Sequence, residues 1–381
     1  MRMLVLGAGL QGSACAYDLL QNPEVTEVRL ADLHVEKLAE FLRPYSGERL
    51  IPTPLDVRDA DAVRALMRES DAVMSAIPYY FNLDLARHAV EVGTNFCDLG
   101  GNTDIVFEQK TLDTRARDQK CSIIPDCGVA PGMVNILSQY GISQMDSVDS
   151  VKIFVGGLPQ NPEPPLNYQI VYSLEGVLDY YTTLSWVLRD GKRAQVKALS
   201  EIEPVTFDAP IGELEAFHTA GGLSTMAFRY EGQIQNMEYK TLRYPGHARI
   251  MEAIRELGLL ELEPVDVKGT KVVPRDLAVA AMGPRLTKPK GHDLLALRVT
   301  VTGSKDGAPK TVGWELVDFY DEAHGISAMM RTTGYSLSIT GQMQARGEIS
   351  LYGVHTPDEC VPPQLYIDEL KKRGMNIRQI A

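Results

Sequence analysis

Three glycines near the start of the chain have the type and spacing to hold a dinucleotide. They sit in the run Gly7-Ala8-Gly9-Leu10-Gln11-Gly12, after an apolar stretch at 3–6 and before a stretch of helical spacing. In that setting the first glycine permits a tight turn and the second lets a pyrophosphate approach the backbone. The third lets helix and strand pack closely. The helix start, Leu10 to Gly12, then offers free N–H groups and a positive dipole end to the phosphates. Asp32 lies 20 residues beyond Gly12, at the end of the next apolar run. A carboxylate there binds a ribose 2′-hydroxyl and repels a 2′-phosphate. Leu33-His34 bring no arginine to accept such a phosphate, so the expected cofactor is NAD rather than NADP.

Elements must present these residues at one edge of a sheet. Residues 3–6, 27–31, 51–55, 72–77, 95–99 and 121–124 read as strands. Residues 11–20, 35–42, 60–68, 83–92 and 105–119 read as helices between them. This alternation predicts a doubly wound, mostly parallel Rossmann sheet covered on both faces. Ligands of such sheets bind beyond the carboxyl ends of the strands. Asp56-Val57, after the third strand, are therefore expected to flank the adenine. Ser75-Ala76-Ile77-Pro78, after the fourth, are expected beside the nicotinamide ribose.

The rhythm changes after about residue 135. Residues 150–155 and 295–301 are β-rich, and Ser304-Lys305-Asp306-Gly307 before 310–320 reads as a hairpin return. Residues 327–344 read as one long apolar helix, and 365–372 as another. The expected organisation begins with a dinucleotide domain over 1–134. An α+β substrate and dimerisation domain with a mixed or antiparallel sheet is expected over 135–329.

Composition narrows the function. The 381 residues carry a net charge of −12, with 44% apolar and 23% charged residues. Such a chain has enough apolar material for a sizeable core. Its acidity argues against general nucleic-acid or membrane-surface binding. The five cysteines are scattered without metal or disulfide spacing, so no metal site is expected. The three early glycines explain an N-terminal run that superficially resembles a signal peptide. A soluble, cytoplasmic protein is the natural reading.

The chain resembles the saccharopine dehydrogenase-like family, and within it the NAD-dependent L-lysine 6-dehydrogenases. The resemblance rests on Gly7–Gly12, Ser75-Ala76-Ile77-Pro78-Tyr79-Tyr80 and Phe96-Cys97-Asp98-Leu99-Gly100-Gly101. It continues through Asp126-Cys127-Gly128-Val129-Ala130-Pro131-Gly132, Val155-Gly156-Gly157-Leu158-Pro159 and Lys240-Thr241-Leu242-Arg243-Tyr244-Pro245-Gly246-His247. It implies an oxidoreductase whose C-terminal segment, 330–381, returns to complete the nucleotide domain. It also implies subunits paired, as a homodimer or larger homo-oligomer, through the second domain's sheet. Two departures weaken saccharopine itself as the substrate. Asp32-Leu33-His34 stands where NADP-using saccharopine reductases tend to carry an arginine. Ala130 stands where their Gly-x-Asp-Pro-Gly turn is acidic.

Oxidation of an amino acid's side-chain amine sets the remaining expectations. The substrate carboxylate needs a cation, the amine must lose a proton, and water must reach the iminium. Arg243 is the first candidate for a carboxylate clamp, with Lys240 beside it in sequence. His247 suits proton transfer near neutral pH. Asp98, ending the fifth strand, is expected to face the cleft as base or ammonium ligand. Asp126 is a second ammonium ligand or a helix cap. Tyr79 and Tyr80 are expected to wall the site, Tyr79 as a hydrogen-bond donor. Cys127 needs no nucleophilic role, because hydride transfer from an amine uses none. Glu215 and Thr219-Ala220-Gly221-Gly222 are placed near the cleft or a subunit contact. The leading reading is oxidative deamination of L-lysine to 2-aminoadipate 6-semialdehyde, which cyclises. Alternatives are a dehydrogenase of an N-substituted amino acid such as saccharopine or a carboxylated polyamine, and an NAD-binding sensor without turnover.

Overall fold

A computed structural model describes residues 1–288 and 291–380. Short apolar runs bounded by turns form β1 (Arg2–Leu6), β2 (Glu27–Asp32), β3 (Leu50–Pro54), β4 (Ala72–Ser75), β5 (Asn95–Asp98) and β6 (Ser122–Ile124). They pair in parallel in the order β6-β5-β4-β1-β2-β3. The order reverses beside β1, so the crevice for a dinucleotide opens at the ends of β1 and β4. Leu4, Val5, Val73 and Met74 are fully buried, as expected of strands covered on both faces.

A second sheet is built on the long strand β7 (Ser147–Pro159). The chain adds β8 (Ser185–Arg189), β9 (Lys192–Val196), β10 (Glu203–Phe207), β11 (Gly212–His218) and β12 (Ile234–Arg243). After a small separate hairpin, β13 (Val265–Val267) and β14 (Thr270–Val272), come β15 (Asp293–Lys305) and β16 (Ala308–Phe319). The main path runs β10-β11-β12-β7-β15-β16, with β8 and β9 joined beside β12. Only β12 and β7 run parallel, which makes the sheet mixed. Asp306 and Gly307 close the β15–β16 hairpin with left-handed φ of 51° and 74°. That geometry matches the twist of a two-residue hairpin loop.

The C-terminal segment then returns to the first sheet. Helix Ala328–Ala345 is N-capped by Ser327, which accepts the Met330 N–H at 3.1 Å. It crosses the first helix, Leu10–Gln21, where a Cβ on Gly334 would stand 2.7 Å from Ala14. Buried Asp18 holds this junction by accepting from Ser338 at 2.6 Å and Arg373 at 2.7 Å. Strand β17 (Gly353–Val354) extends the parallel sheet next to β6, and β18 (Arg378–Gln379) edges the second sheet beside β16. Among the described residues no helix is long and apolar enough to cross a membrane.

Two helices differ from the sequence expectation. Residues 35–42 do not form an α-helix; turns lead into a 3₁₀ helix at Glu40–Tyr45. Pro44 has no N–H for an α-helical bond, and Phe41 and Tyr45 instead set their rings edge-on to Tyr17. Residues 105–119 form two helices, Thr103–Lys110 and Asp113–Asp118. Asn102 caps the first by accepting the N–H groups of Asp104 and Ile105.

Candidate active site

The glycine loop has the geometry its spacing predicts. Gly7 holds φ 100°, and a Cβ on it would lie 2.8 Å from both the Ala76 carbonyl oxygen and Ile77 Cγ2. A Cβ on Gly12 would lie 1.8 Å from the Gly7 oxygen, so that turn packs on itself. Gly9 is different: its Cβ position meets nothing within 4 Å. The backbone at Gly9 borders an open cradle at the start of helix Leu10–Gln21, which suits a pyrophosphate. Asp32 closes the other side. Its Oδ2 accepts the Ala8 N–H at 2.7 Å and its Oδ1 accepts the His34 N–H at 3.0 Å. The carboxylate is thereby fixed at the end of β2, where an adenosine ribose would meet it.

Other cofactor expectations change in detail. The Asp56 carboxylate is held by Arg58, with Nε–Oδ1 at 2.9 Å, and these bonds lower its pKa to about 2. Asp56 and Arg58 thus form an exposed ion pair on the loop after β3. The sequence reading overlooked Arg58, a cation on that loop. Val57 is half-buried against the core. Ser75 turns inward and donates to Asn82 at 2.8 Å, so its side chain does not face the crevice. Ala76, Ile77 and Pro78 emerge progressively from the core.

Between the glycine loop and the second sheet lies a cavity of about 230 Å³. Gln11, Gly128-Val129-Ala130-Pro131, Met329 and Thr333 form its cofactor side. Gly157, Tyr239, Thr241 and Arg243 form its sheet side. Strand parity explains the sheet wall: Tyr239, Thr241 and Arg243 alternate onto one face of β12. Arg243 is only 3% exposed. Its Nη1 donates to the carbonyls of Leu242 at 2.8 Å and Gly157 at 3.4 Å, and its Nε has no partner. The guanidinium lies 4.8 Å from the centre of the Tyr168 ring. Among the described residues it forms no ion pair. A buried cation in that state is costly until an anion joins it.

The other catalytic expectations do not converge on this cavity. Lys240 stands on the opposite face of β12, buried, and pairs with Glu203 at 2.6 Å. Proximity in sequence does not bring it to Arg243, because residues three apart on a strand point to opposite faces. His247 is buried and stacked on Phe217. Its Nδ1 lies 3.1 Å from the Leu166 carbonyl and its Nε2 lies 2.9 Å from the Tyr181 hydroxyl. The carbonyl can only accept, so Nδ1 carries the hydrogen and Nε2 accepts. Burial, then the neighbouring Arg243 charge, lower its pKa to about 3. His247 is a neutral support for the Tyr181 and Arg243 wall, not a proton carrier.

Asp98 is fully buried rather than turned to the cleft. It accepts the Gly100 N–H at 2.7 Å and Gln109 Nε2 at 2.8 Å, while burial raises its pKa to about 6. It fixes the loop above it. Tyr80 is 60% exposed and lines neither described chamber. Glu215 accepts the N–H groups of Gly246 and Ala248, capping helix His247–Glu256 instead of joining the cavity. Cys127 is buried, and burial raises its pKa well above the ordinary range, so no thiolate is available there.

A second chamber of about 540 Å³ adjoins the first, sharing Gly101, Tyr180, Ala220 and Gly221. Tyr79 lines it, with Trp186, Asp104, Asp179 and Ser224. Asp126 lies beneath the shared wall, 1% exposed, and accepts the Gly101 N–H at 3.2 Å. Tyr180 and Ser224 had no sequence signal, because their value comes from a cavity formed by segments far apart in the chain. Glu201, His218 and Glu238 also lie close together on the far face of the second sheet. Arg189 already bridges that trio's carboxylates at 2.8 and 2.7 Å.

An open glycine cradle, a carboxylate fixed at the end of β2 and a buried cation across the crevice mark a Rossmann-type dinucleotide-binding protein with a second sheet facing the site. Comparison with known proteins places it further. Residues 3–124 match the saccharopine dehydrogenase NADP binding domain, and residues 128–375 match the saccharopine dehydrogenase C-terminal domain. The chain belongs to the saccharopine dehydrogenase family. It is 26% identical over 224 residues to a saccharopine dehydrogenase (NADP(+), L-glutamate-forming) of Pyricularia oryzae, covering 56% of this chain and 48% of that protein. It is 22% identical over 273 residues to the mitochondrial alpha-aminoadipic semialdehyde synthase of Rattus norvegicus, covering 69% of this chain and 29% of that one. The chain thus spans about half or less of the length of these relatives. The solved apo saccharopine dehydrogenase (L-Glu forming) of Saccharomyces cerevisiae superposes with a TM-score of 0.80 at 20% identity, covering 100% of both chains. Homospermidine synthase of Legionella pneumophila, solved with NAD, has a TM-score of 0.68 at 10% identity, covering 100% of this chain and 91% of that one. The match to the NADP binding domain indicates a cofactor of the nicotinamide dinucleotide type.

Proposed function

We propose that the protein is an NAD-dependent dehydrogenase that oxidises the side-chain amine of L-lysine, releasing ammonia and 2-aminoadipate 6-semialdehyde. The observation that carries this reading is Arg243, the one cation among the described residues that line the two chambers. One carboxylate can be neutralised there. Saccharopine carries three, and two would lie against walls with no cation. Burying an unpaired carboxylate costs several kcal/mol, which disfavours that substrate.

Gly7, Gly9, Gly12 and the N–H groups of Leu10 and Gln11 would hold the pyrophosphate, and Asp32 the ribose. The bound dinucleotide supplies the hydride acceptor. Arg243 grips the α-carboxylate and so sets the distance of the side chain from it. Tyr181 and His247 back the guanidinium. Tyr172, Tyr180 and Tyr239 line the path between Arg243 and the second chamber.

The matched relatives favour the second reading, a dehydrogenase of an N-substituted amino acid using NADP. Steady-state kinetics of Arg243→Ala and Arg243→Lys with L-lysine and with 1,5-diaminopentane, which lacks the carboxylate, test the clamp. Loss of the charge-assisted pair should cost about 2–5 kcal/mol in kcat/KM, roughly 30-fold to several thousand-fold, for lysine only. If the variants still discriminate between the two amines as wild type does, Arg243 does not hold the carboxylate.

A further inference from the structure

The second chamber has its own chemistry. Tyr79, Tyr180 and Trp186 present aromatic groups, Asp104 a carboxylate, and Asp179 a carboxylate already paired with Arg275; among the described residues no cation lines it. Asp104 forms no ion pair among the described residues. Such walls suit an amine. Beneath the wall shared with the first cavity, Ser224 lines the chamber and donates its hydroxyl to Asp126 Oδ2. The local backbone is bent to make this contact. Asp126 and Ser224 hold left-handed φ of 64° and 51°. A Cβ on Gly100 would stand 1.6 Å from Asp126 Oδ1. Backbone of this kind in non-glycine residues costs free energy and persists where the surroundings enforce it, often at functional sites.

Asp126 has no cationic partner among the described residues. The charged and titratable groups near it are Asp98 after β5, Asp358, already paired with Arg229 at 2.8 Å, and the Tyr180 phenol. Burial first, then the Asp98 charge, raise its pKa to about 7, against the lowering effect of the Ser224 bond. A group of this kind exchanges protons near neutral pH.

We infer that Ser224 and Asp126 take the proton from the substrate's reacting amine, Ser224 touching the amine and Asp126 receiving the proton through it. This rests on the amine-oxidising reading above. The substrate ammonium gives a proton to Ser224 Oγ as the Ser224 hydroxyl proton passes to Asp126 Oδ2. The freed lone pair forms the C=N bond while the adjacent C–H bond breaks, and its electron pair leaves with hydrogen to the oxidised nicotinamide dinucleotide. Water then adds to the iminium carbon, both its protons pass to the nitrogen, and aldehyde and ammonium leave, while Asp126 releases its proton through Ser224 to solvent. Asp126 is in this sense a positioning residue, acting through Ser224.

The test is the pH dependence of kcat/KM for lysine oxidation in wild type, Asp126→Asn and Ser224→Ala. It is joined by direct titration of Asp126 by ¹³C NMR in cofactor-free protein labelled at aspartate side-chain carboxyls. The base is the ionised form, so wild-type kcat/KM should rise through a pKa of about 7, with the Asp126 carbon titrating over the same range. Asp126→Asn should lose about 100- to 10,000-fold and abolish that rise. Ser224→Ala removes a bond that lowers the pKa, so its residual rise and its carboxyl titration should both move to higher pH. This variant carries the test if Asp126→Asn does not fold. A purely structural role would lower the rate equally at every pH. An unmoved rise in either variant, with wild type active, overturns the relay alone. Wild type that oxidises no amine overturns the relay together with the reading beneath it.

Discussion

At the scale of single residues, burial decides which charged groups remain free for chemistry. Lys240, Arg243 and His247 fall within eight residues of sequence, yet only Arg243 meets the cavity. Residue type and spacing pointed to this segment, but whether it was strand or helix decided which side chain faced the site. His247 illustrates the cost of burial. Its folded pKa of about 3 lies below the ordinary 6.5, so the unfolded chain binds the proton more readily. The stability this group contributes is full above pH 6.5 and is lost as pH falls toward 3, by roughly 2–4 kcal/mol between pH 7 and 4. Asp98 and Asp126 act in the opposite sense, their contributions being lost as pH rises through about 6 and 7. Gln at 247 can donate to Leu166 and accept from Tyr181 without titrating. Thermal unfolding of His247→Gln should therefore show a smaller drop from pH 7 to 5 than wild type. Equal drops would mean that His247 is protonated in the folded state.

At the scale of elements, the β1–loop–helix unit makes two glycines differ in kind. Gly12→Ala forces a Cβ into the Gly7 carbonyl and should destabilise the fold by several kcal/mol. Gly9→Ala enters open space and should leave stability within about 1 kcal/mol. It should weaken dinucleotide binding at least tenfold, as calorimetry would show. Normal dinucleotide affinity in Gly9→Ala would place the pyrophosphate elsewhere. Asp32 at the end of β2 predicts that NAD binds more tightly than NADP, and Asp32→Ser with His34→Arg should reverse the order. Tighter NADP binding by wild type would show that Arg58, rather than Asp32, governs the ribose. The parallel strands were legible because buried runs alternate regularly with helices. The strands β8 to β12 were not, because β9 is mostly exposed, β12 is buried on both faces from Met237 to Arg243, and their pairing joins distant segments. The 3₁₀ turn at Glu40–Tyr45 escaped because its apolar residues also fit helical spacing.

At the scale of the whole molecule, the site exists because the chain crosses between two sheets and comes back. Helix Ala328–Ala345 brings Met329 and Thr333 to the cavity while its later turns lie under β4, where a Cβ on Gly341 would strike Met74. Such a return has no local signature; the long apolar helix alone does not show where it packs, and only the family resemblance implied it. Phe319 at the end of β16, with Ile202 and Ile380 just outside β10 and β18, is well exposed along the second sheet. Subunits are expected to pair through it, and light scattering that finds a stable, fully active monomer would contradict that. The central claim concerns the substrate, and one assay reaches it most directly: reduced-nicotinamide absorbance with NAD, comparing L-lysine with saccharopine. A single buried cation predicts NAD reduction with L-lysine at a kcat/KM well above that for saccharopine. Reduction with saccharopine and none with L-lysine would contradict it.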